Sequence, residues 1–257
     1  EGDRLVYRET SLPLDDVVRQ VVTGAADHLN PGGRCHVLGA WAHLSGRSWS
    51  DRLAEWIAPT GLDAWVVQRE VLDLSTYTEM WLADMGSTSG AEHTRRYDRW
   101  LSWFAEQGIE AMGFGWINLR RAGRDAPDVH LEDWVGPLAG PASGAIAARE
   151  RAVDALAADD PLDQRWQQAD GLVQDTHGSA GADHPEAIVL RLTQGLCRSR
   201  RVDTVEAALV GACDGDLTGG QILDAVGQLL GRPDLRADHA AALRDLVLEG
   251  FLRPATP

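Results

Sequence analysis

The stretch His28-Leu29-Asn30-Pro31-Gly32-Gly33-Arg34-Cys35-His36-Val37-Leu38-Gly39-Ala40-Trp41 constrains this chain more than any other. An amphipathic segment runs into a Pro-Gly-Gly break, and a short run with almost no charge follows at once. Proline and paired glycines stop a helix. The pattern therefore predicts a helix-to-strand connection, in a sheet covered on both faces.

The helix is expected over Ser11 to His28. Ser11 caps it, Asp15 and Asp16 suit its positive N-terminal end, and Leu14, Val17, Val18, Val21, Val22 and Ala25 line one face. The strand is expected over Arg34 to Trp41, with Cys35, Val37 and Trp41 on one side and His36, Leu38 and Ala40 on the other. The alternation then repeats. Trp49, Leu53, Trp56 and Ile57 mark a short helix, and Leu62 to Gln68 a second buried strand. Thr76 and Glu79 suggest a capping box for the next helix, ahead of Met80 and Trp81. Another helix spans about Ala91 to Gln107 and stops at Gly108, and a third strand runs from Ile109 to Arg120. This order predicts a doubly wound α/β sheet.

Beyond Arg121 the texture changes. An extra strand is expected near Val129 to Trp134, then Gly- and Pro-rich sequence, then a helix to about Ala158. Asp170 to Pro185 is polar and Gly-rich and reads as mobile. Four helices are expected after it: Glu186 to Arg200, Thr204 to Cys213, one capped by Thr218 and Gln221, and one from Asp238 closed by Gly250. Helices followed by the short apolar tail Phe251-Leu252 predict a winged-helix-like domain over 159–257, behind an α/β domain over 1–158.

Composition narrows the function classes. No 18-residue apolar run exists to span a bilayer. Cys35, Cys197 and Cys213 are few and far apart, which suggests buried thiols in a reducing, cytoplasmic setting. Glu1-Gly2-Asp3-Arg4 lacks the features of a signal peptide and reads as a cut end. The net charge is −15, and every cationic Lys/Arg position is Arg. That balance argues against a broad phosphate-binding footprint. From Asp203 to Pro257 nine acids face four arginines, which disfavours a DNA-reading wing.

Few motifs carry chemistry. Gly113-Phe114-Gly115 lies inside a strand, so it points to close packing rather than to a dinucleotide loop. Gly86-Ser87-Thr88-Ser89-Gly90 joins two helices and reads as a loop, not as a nucleophile elbow. The eight histidines show no metal-ligand spacing. Trp56, Trp65, Trp81, Trp100 and Trp103 fall at core spacing. Trp41 and His43 leave the first strand, and Arg69 and Glu70 the second, at the carboxyl ends where open α/β sheets bind ligands. Each of these four also fits a capping aromatic or a satisfied loop group. Arg191, Arg198, Arg200 and Arg201 suit a helix C-terminus on dipole grounds alone.

The Leu29-Asn30-Pro31-Gly32-Gly33 turn resembles the turn before strand five of class I S-adenosylmethionine-dependent methyltransferases. Glu1-Gly2-Asp3-Arg4-Leu5, Asp63-Ala64-Trp65-Val66-Val67-Gln68-Arg69-Glu70 and Gly113-Phe114-Gly115-Trp116 resemble an actinobacterial group of such enzymes. That group is similar to the release-factor glutamine and rRNA guanine-N2 methyltransferases and has a small helical C-terminal domain. The family's Gly-rich loop, its acid after strand two and its Asn-Pro-Pro-aromatic tetrapeptide are absent here. The resemblance thus implies the C-terminal half of a Rossmann-like sheet. Strand five to strand seven would be present, the last antiparallel to its predecessor, and the S-adenosylmethionine site and catalytic tetrapeptide would lie mainly upstream. It implies an amide or exocyclic-amine acceptor on protein, RNA or DNA, and no activity for this chain alone. Trp41 and His43 would line the acceptor pocket, with Arg4, Tyr7 and Arg8 in the loop after the tetrapeptide. An adaptor is the alternative. In either case the sheet would keep an open edge, for the missing half or for an oligomer.

Overall fold

The computed structural model describes residues 15–180, 185–232 and 234–255. The chain divides into two units, Glu1–Val135 and Gly136–Pro257. It is mixed α/β, with eight α-helices and three small sheets among the described residues.

In the first unit α1 (Asp16–His28), β1 (Arg34–Leu44), α2 (Trp49–Ile57) and β2 (Asp63–Asp73) follow one another. Then come α3 (Leu74–Asp84), α4 (Ala91–Glu106), β3 (Ile109–Arg120) and β4 (Val129–Asp133). The break at Pro31 works as the residue types demand. Gly32 takes φ +75°, and a Cβ on Gly33 would lie 2.8 Å from the Asn30 carbonyl oxygen. Ser11 and Leu14 lie outside the described residues, and α1 begins at Asp16. Asp15 does not cap it by a side-chain bond, because its carboxylate is taken by Arg52. The expected Thr76–Glu79 capping box gives way to an earlier start. Asp73 accepts hydrogen bonds from the Thr76 N–H and hydroxyl, both at 2.8 Å, so α3 starts at Leu74.

The sheet order is β1-β3-β2-β4. β3 runs antiparallel to both β1 and β2, which are therefore parallel to each other, and β4 pairs parallel to β2. Odd-numbered β1 residues join a core with α1 and α2 built on Val22, Leu53, Ile57, Val66, Ile117 and Leu119. The opposite face meets α3 and α4 through Ala42, Met112, Phe104 and Tyr77. The predicted facing of β1 holds, but its full coverage does not. Among the described residues β1 pairs on one side only, and Leu38 is 83% exposed.

In the second unit α5 (Ala142–Ala158) precedes β5 (Arg165–Gln168), β6 (Leu172–His177), β7 (Ala187–Leu192) and β8 (Ser199–Val202). It closes with α6 (Thr204–Ala212), β9 (Asp214–Thr218), α7 (Gly219–Leu230), α8 (Leu235–Leu248) and β10 (Leu252–Pro254). One sheet is β6-β7-β8 and the other β10-β5-β9. They share a core of Trp166, Leu190, Leu209, Leu223, Leu243 and Phe251. Ala152 and Leu156 of α5 belong to that core, so this helix sits with the second unit, ahead of the boundary expected at 158/159.

The helix expected over Glu186 to Arg200 is a β-hairpin. Ile188, Leu190 and Leu192 face the core at a period of two, which a helix cannot arrange. Gly195 at φ +61° and Cys197 at φ +49° turn the chain between β7 and β8. The arginines consequently scatter. Arg200 faces inward to Glu206 and Glu249, Arg191 pairs with Asp175, and Arg201 donates to the Glu186 carbonyl. The segment read as mobile contains β6, paired along its whole length with β7. Helix α8 starts at Leu235 rather than Asp238, because the Leu235 side chain is buried in the same core. Thr218 and Gln221 do form the expected capping box.

Candidate functional site

Trp41 and His43 lie two apart on β1 and so share a face, the one covered by α1 and α2. Both sit inside the strand, which runs on to Leu44. On β3 Gly113 lies opposite Trp41 and Gly115 opposite Gly39, and the missing side chains make the room. A Cβ on Gly113 would stand 2.2 Å from Gln68 Oε1, 2.6 Å from Trp41 Nε1 and 2.9 Å from His43 Nε2. A Cβ on Gly115 would meet the Val67 carbonyl oxygen at 2.0 Å and the Trp41 ring at 2.9 Å. The pair of glycines is a floor for the Trp41 indole, which fits the close packing expected of them.

Three polar groups converge above Gly113. Trp41 Nε1 donates to Gln68 Oε1 at 2.8 Å, and His43 Nε2 lies 2.8 Å from the same oxygen. Gln68 Nε2 in turn donates to Asp133 Oδ1 on β4. Gln68 is 2% exposed, so an unmade bond there would cost about 1–3 kcal/mol. A β-bulge between Gln68 and Glu70 follows directly and marks where the β2 register shifts. Trp49, the first residue of α2, stacks on both rings, with centroids 5.6 Å from Trp41 and 6.4 Å from His43. Trp41 is fully buried, whereas His43 is half-buried, so of the two only His43 can touch a ligand.

Next to this cluster the outer edge of β1 is closed at one point. Arg52 of α2 grips the Asp15 carboxylate with Nη2 at 2.5 and 2.6 Å, and both side chains are buried. Asp15 Oδ2 accepts the Ala42 N–H at 2.8 Å, and Arg52 Nη1 donates to the Ala42 carbonyl at 2.9 Å. The Arg52 guanidinium also lies 4.8 Å from the Trp56 ring centroid. A buried ion pair is tolerable where every remaining polar valence is met, and here the strand backbone meets them.

Arg69 and Glu70 do not leave β2, which continues to Asp73. The bulge turns Arg69 onto the face of Trp116, 5.4 Å from its ring centroid, where it donates to the Trp134 carbonyl at 2.7 Å. Glu70 is exposed. The structure thus brings Trp41 and His43 together and sets Arg69 on the opposite face. Arg4, Tyr7 and Arg8 lie outside the described residues.

Gln68, Trp49, Gly113 and Asp133 complete the cluster, and none of them is among the site residues expected from the sequence. Gln68 had a signal of its own, as a lone uncharged polar residue at the end of the apolar run Ala64-Trp65-Val66-Val67. No group of three or more His, Cys, Asp or Glu able to hold a metal ion occurs among the described residues. No helix among them is long and apolar enough to cross a membrane. No protein-family model matches the chain, and no curated protein matches it.

Proposed function

We propose that this chain is the C-terminal part of an S-adenosylmethionine-dependent N-methyltransferase, with a Rossmann-like half-sheet followed by a winged-helix-like domain. The parent enzyme transfers a methyl group to an amide or exocyclic amine, and this portion alone is inactive. The observation that carries the reading is strand direction. β1 and β2 are parallel and joined through α2, a two-helix insertion follows, and β3 returns antiparallel between them. The order strand, helix, strand, helices, strand, with the last strand antiparallel to its predecessor, is what the resemblance implies for strands five to seven. Among the described residues no strand pairs with the outer edge of β1, which supports a further strand beside it. For the second domain the support is the order α6-β9-α7-α8-β10, with β9 and β10 both paired to β5.

The described residues do not by themselves make a seat for S-adenosylmethionine. Gly113 and Gly115 are filled by Trp41, and the Gly86–Gly90 loop joins two helices rather than a strand to a helix. When bound in the parent, the cofactor supplies an electrophilic methyl group. The part left to this chain is to hold and orient the acceptor, which is positioning chemistry. A base as acceptor would have to be unstacked first.

Titrating S-adenosylmethionine into the 257-residue chain should give no saturable heat, and micromolar affinity would overturn the proposal. The coding sequence upstream is the second test. A Gly-rich loop and an Asn-Pro-Pro-aromatic tetrapeptide there support the enzyme, and their absence turns the chain into an adaptor that docks a partner through the same open edge.

A further inference from the structure

We infer that Gln68 is a positioning residue that locks His43 in one tautomer, so that His43 Nδ1 is the acceptor for an N–H donor on a bound ligand. Two of the groups around Gln68 have no freedom of role. An indole N–H can donate but never accept, and a carboxylate can accept but never donate. Trp41 Nε1 therefore requires an oxygen on the Gln68 side facing it, and Asp133 requires the amide nitrogen on the other. Turning the Gln68 amide over would set N–H against N–H and oxygen against oxygen at once. With Oε1 so fixed, His43 Nε2, 2.8 Å away, carries the proton.

In the neutral ring Nδ1 then keeps its lone pair. No hydrogen bond or ion pair uses it among the described residues, whereas His36, His93 and His239 each spend Nδ1 on a protein oxygen. The half-buried ring is held in plane by Trp49 and lies beside the carboxyl end of β1. Because Gly113 carries no side chain, nothing stands between the three polar groups. An acceptor nitrogen fixed by a donor-only and an acceptor-only neighbour is pre-organised, so a ligand meets it without reorientation.

The ligand class is a planar N–H donor, a carboxamide or an exocyclic amine. That class rests on the methyltransferase reading, whereas the tautomer does not.

The tautomer is read directly from imidazole nitrogen resonances of the whole chain, recorded well above the ordinary histidine range so that the rings are neutral. His43 should show a pyridine-type Nδ1 and a pyrrole-type Nε2. The reverse pattern, or an averaged pair, overturns the inference even in the unmutated chain. Gln68→Met keeps the volume and removes the acceptor, and it should turn the fixed pattern into an averaged one. A fixed pattern in that variant also overturns the inference.

Acetamide and N,N-dimethylacetamide then serve as probes with and without an N–H. Acetamide should shift the Nδ1 resonance saturably and its dimethyl counterpart should not. In Gln68→Met the apparent affinity should fall only by the fraction of rings left in the competent tautomer, roughly twofold for an even mixture. Equal responses to the two amides, or none to either, remove the ligand arm. A locked tautomer in a chain whose upstream sequence lacks the methyltransferase motifs would keep this inference and discard the proposed function.

Discussion

Gly113→Ala is the sharpest test of the polar cluster on the first sheet. The added methyl would lie 2.2 Å from Gln68 Oε1 and 2.6 Å from Trp41 Nε1, closer than real Cβ contacts. Neither neighbour can retreat, because Trp41 is fully buried and Gln68 is tied to Asp133 behind it. Overpacking a tight core costs about 1–3 kcal/mol. Stranding the buried indole N–H costs about 1–3 kcal/mol more. Replacing glycine by alanine in a strand returns about 0.5–1 kcal/mol. The net is a destabilisation of about 3 kcal/mol, or about 10 °C for a unit of this size. All the tryptophans except Trp166 belong to the first unit, so urea unfolding followed by tryptophan fluorescence reports this unit. Gly24→Ala is the control. It lies inside α1 with nothing within 4 Å of the new methyl, and it should stabilise by about 0.5–1 kcal/mol. If Gly113→Ala unfolds within about 0.5 kcal/mol of the unmutated chain, the convergence of Trp41, Gln68 and His43 over that glycine is wrong.

Three further outcomes follow from the packing. Asp15→Asn strands the Arg52 guanidinium in the interior and should cost about 3–5 kcal/mol in urea unfolding, with Asp15→Asn combined with Arg52→Met recovering most of it. Asp203→Ala removes the α6 capping box and should cost about 1 kcal/mol at neutral pH. Partial burial pushes the Asp203 carboxyl up, but the Glu206 N–H and His239 outweigh it and hold it below the ordinary carboxylate value. A depressed carboxyl stabilises above its unfolded pKa, about 3.9, and loses that contribution as pH falls through the folded value. The difference between Asp203→Ala and the unmutated chain should therefore shrink on acidification, as read by urea midpoints at neutral and acid pH. Burial, helped by Asp214, pushes the Cys213 thiol up to about 12, so iodoacetamide at mildly alkaline pH should label Cys213 last and only as the second unit opens.

Much of the first unit was legible because its signals are local. The Pro31-Gly32-Gly33 break, the Gly108 stop and the alternation along β1 each act within a few residues. The hairpin at Ala187–Val202 was not legible as such. Its apolar residues form an unbroken Ala-Ile-Val-Leu run that fits helix or strand, and only pairing with β6 selects period two. The capping of α3 by Asp73 was hidden for a related reason, since the strand before it outlasts its apolar run. At the candidate site the sequence pointed to Trp41 and His43 but could not show their shared acceptor. Gln68 meets them only because β3 inserts between β1 and β2 with two glycines in register, and that is a property of the assembled sheet.

The Asp15–Arg52 pair has a consequence for the outer rim of β1. Ala42 spends its N–H and carbonyl on that pair, so the backbone groups of alternate residues Arg34, His36, Leu38 and Ala40 are the ones that point the same way along the strand. The ion pair is thus a terminal stop on a short rail, about 20 Å long at the rise of a strand. A strand joining β1 can run out past Arg34 but must end before Ala42. Its alignment is therefore dictated by where the rail is blocked rather than by side-chain preference, and a one-residue slip, ordinarily the hazard of a bare edge, meets a guanidinium instead of a free carbonyl.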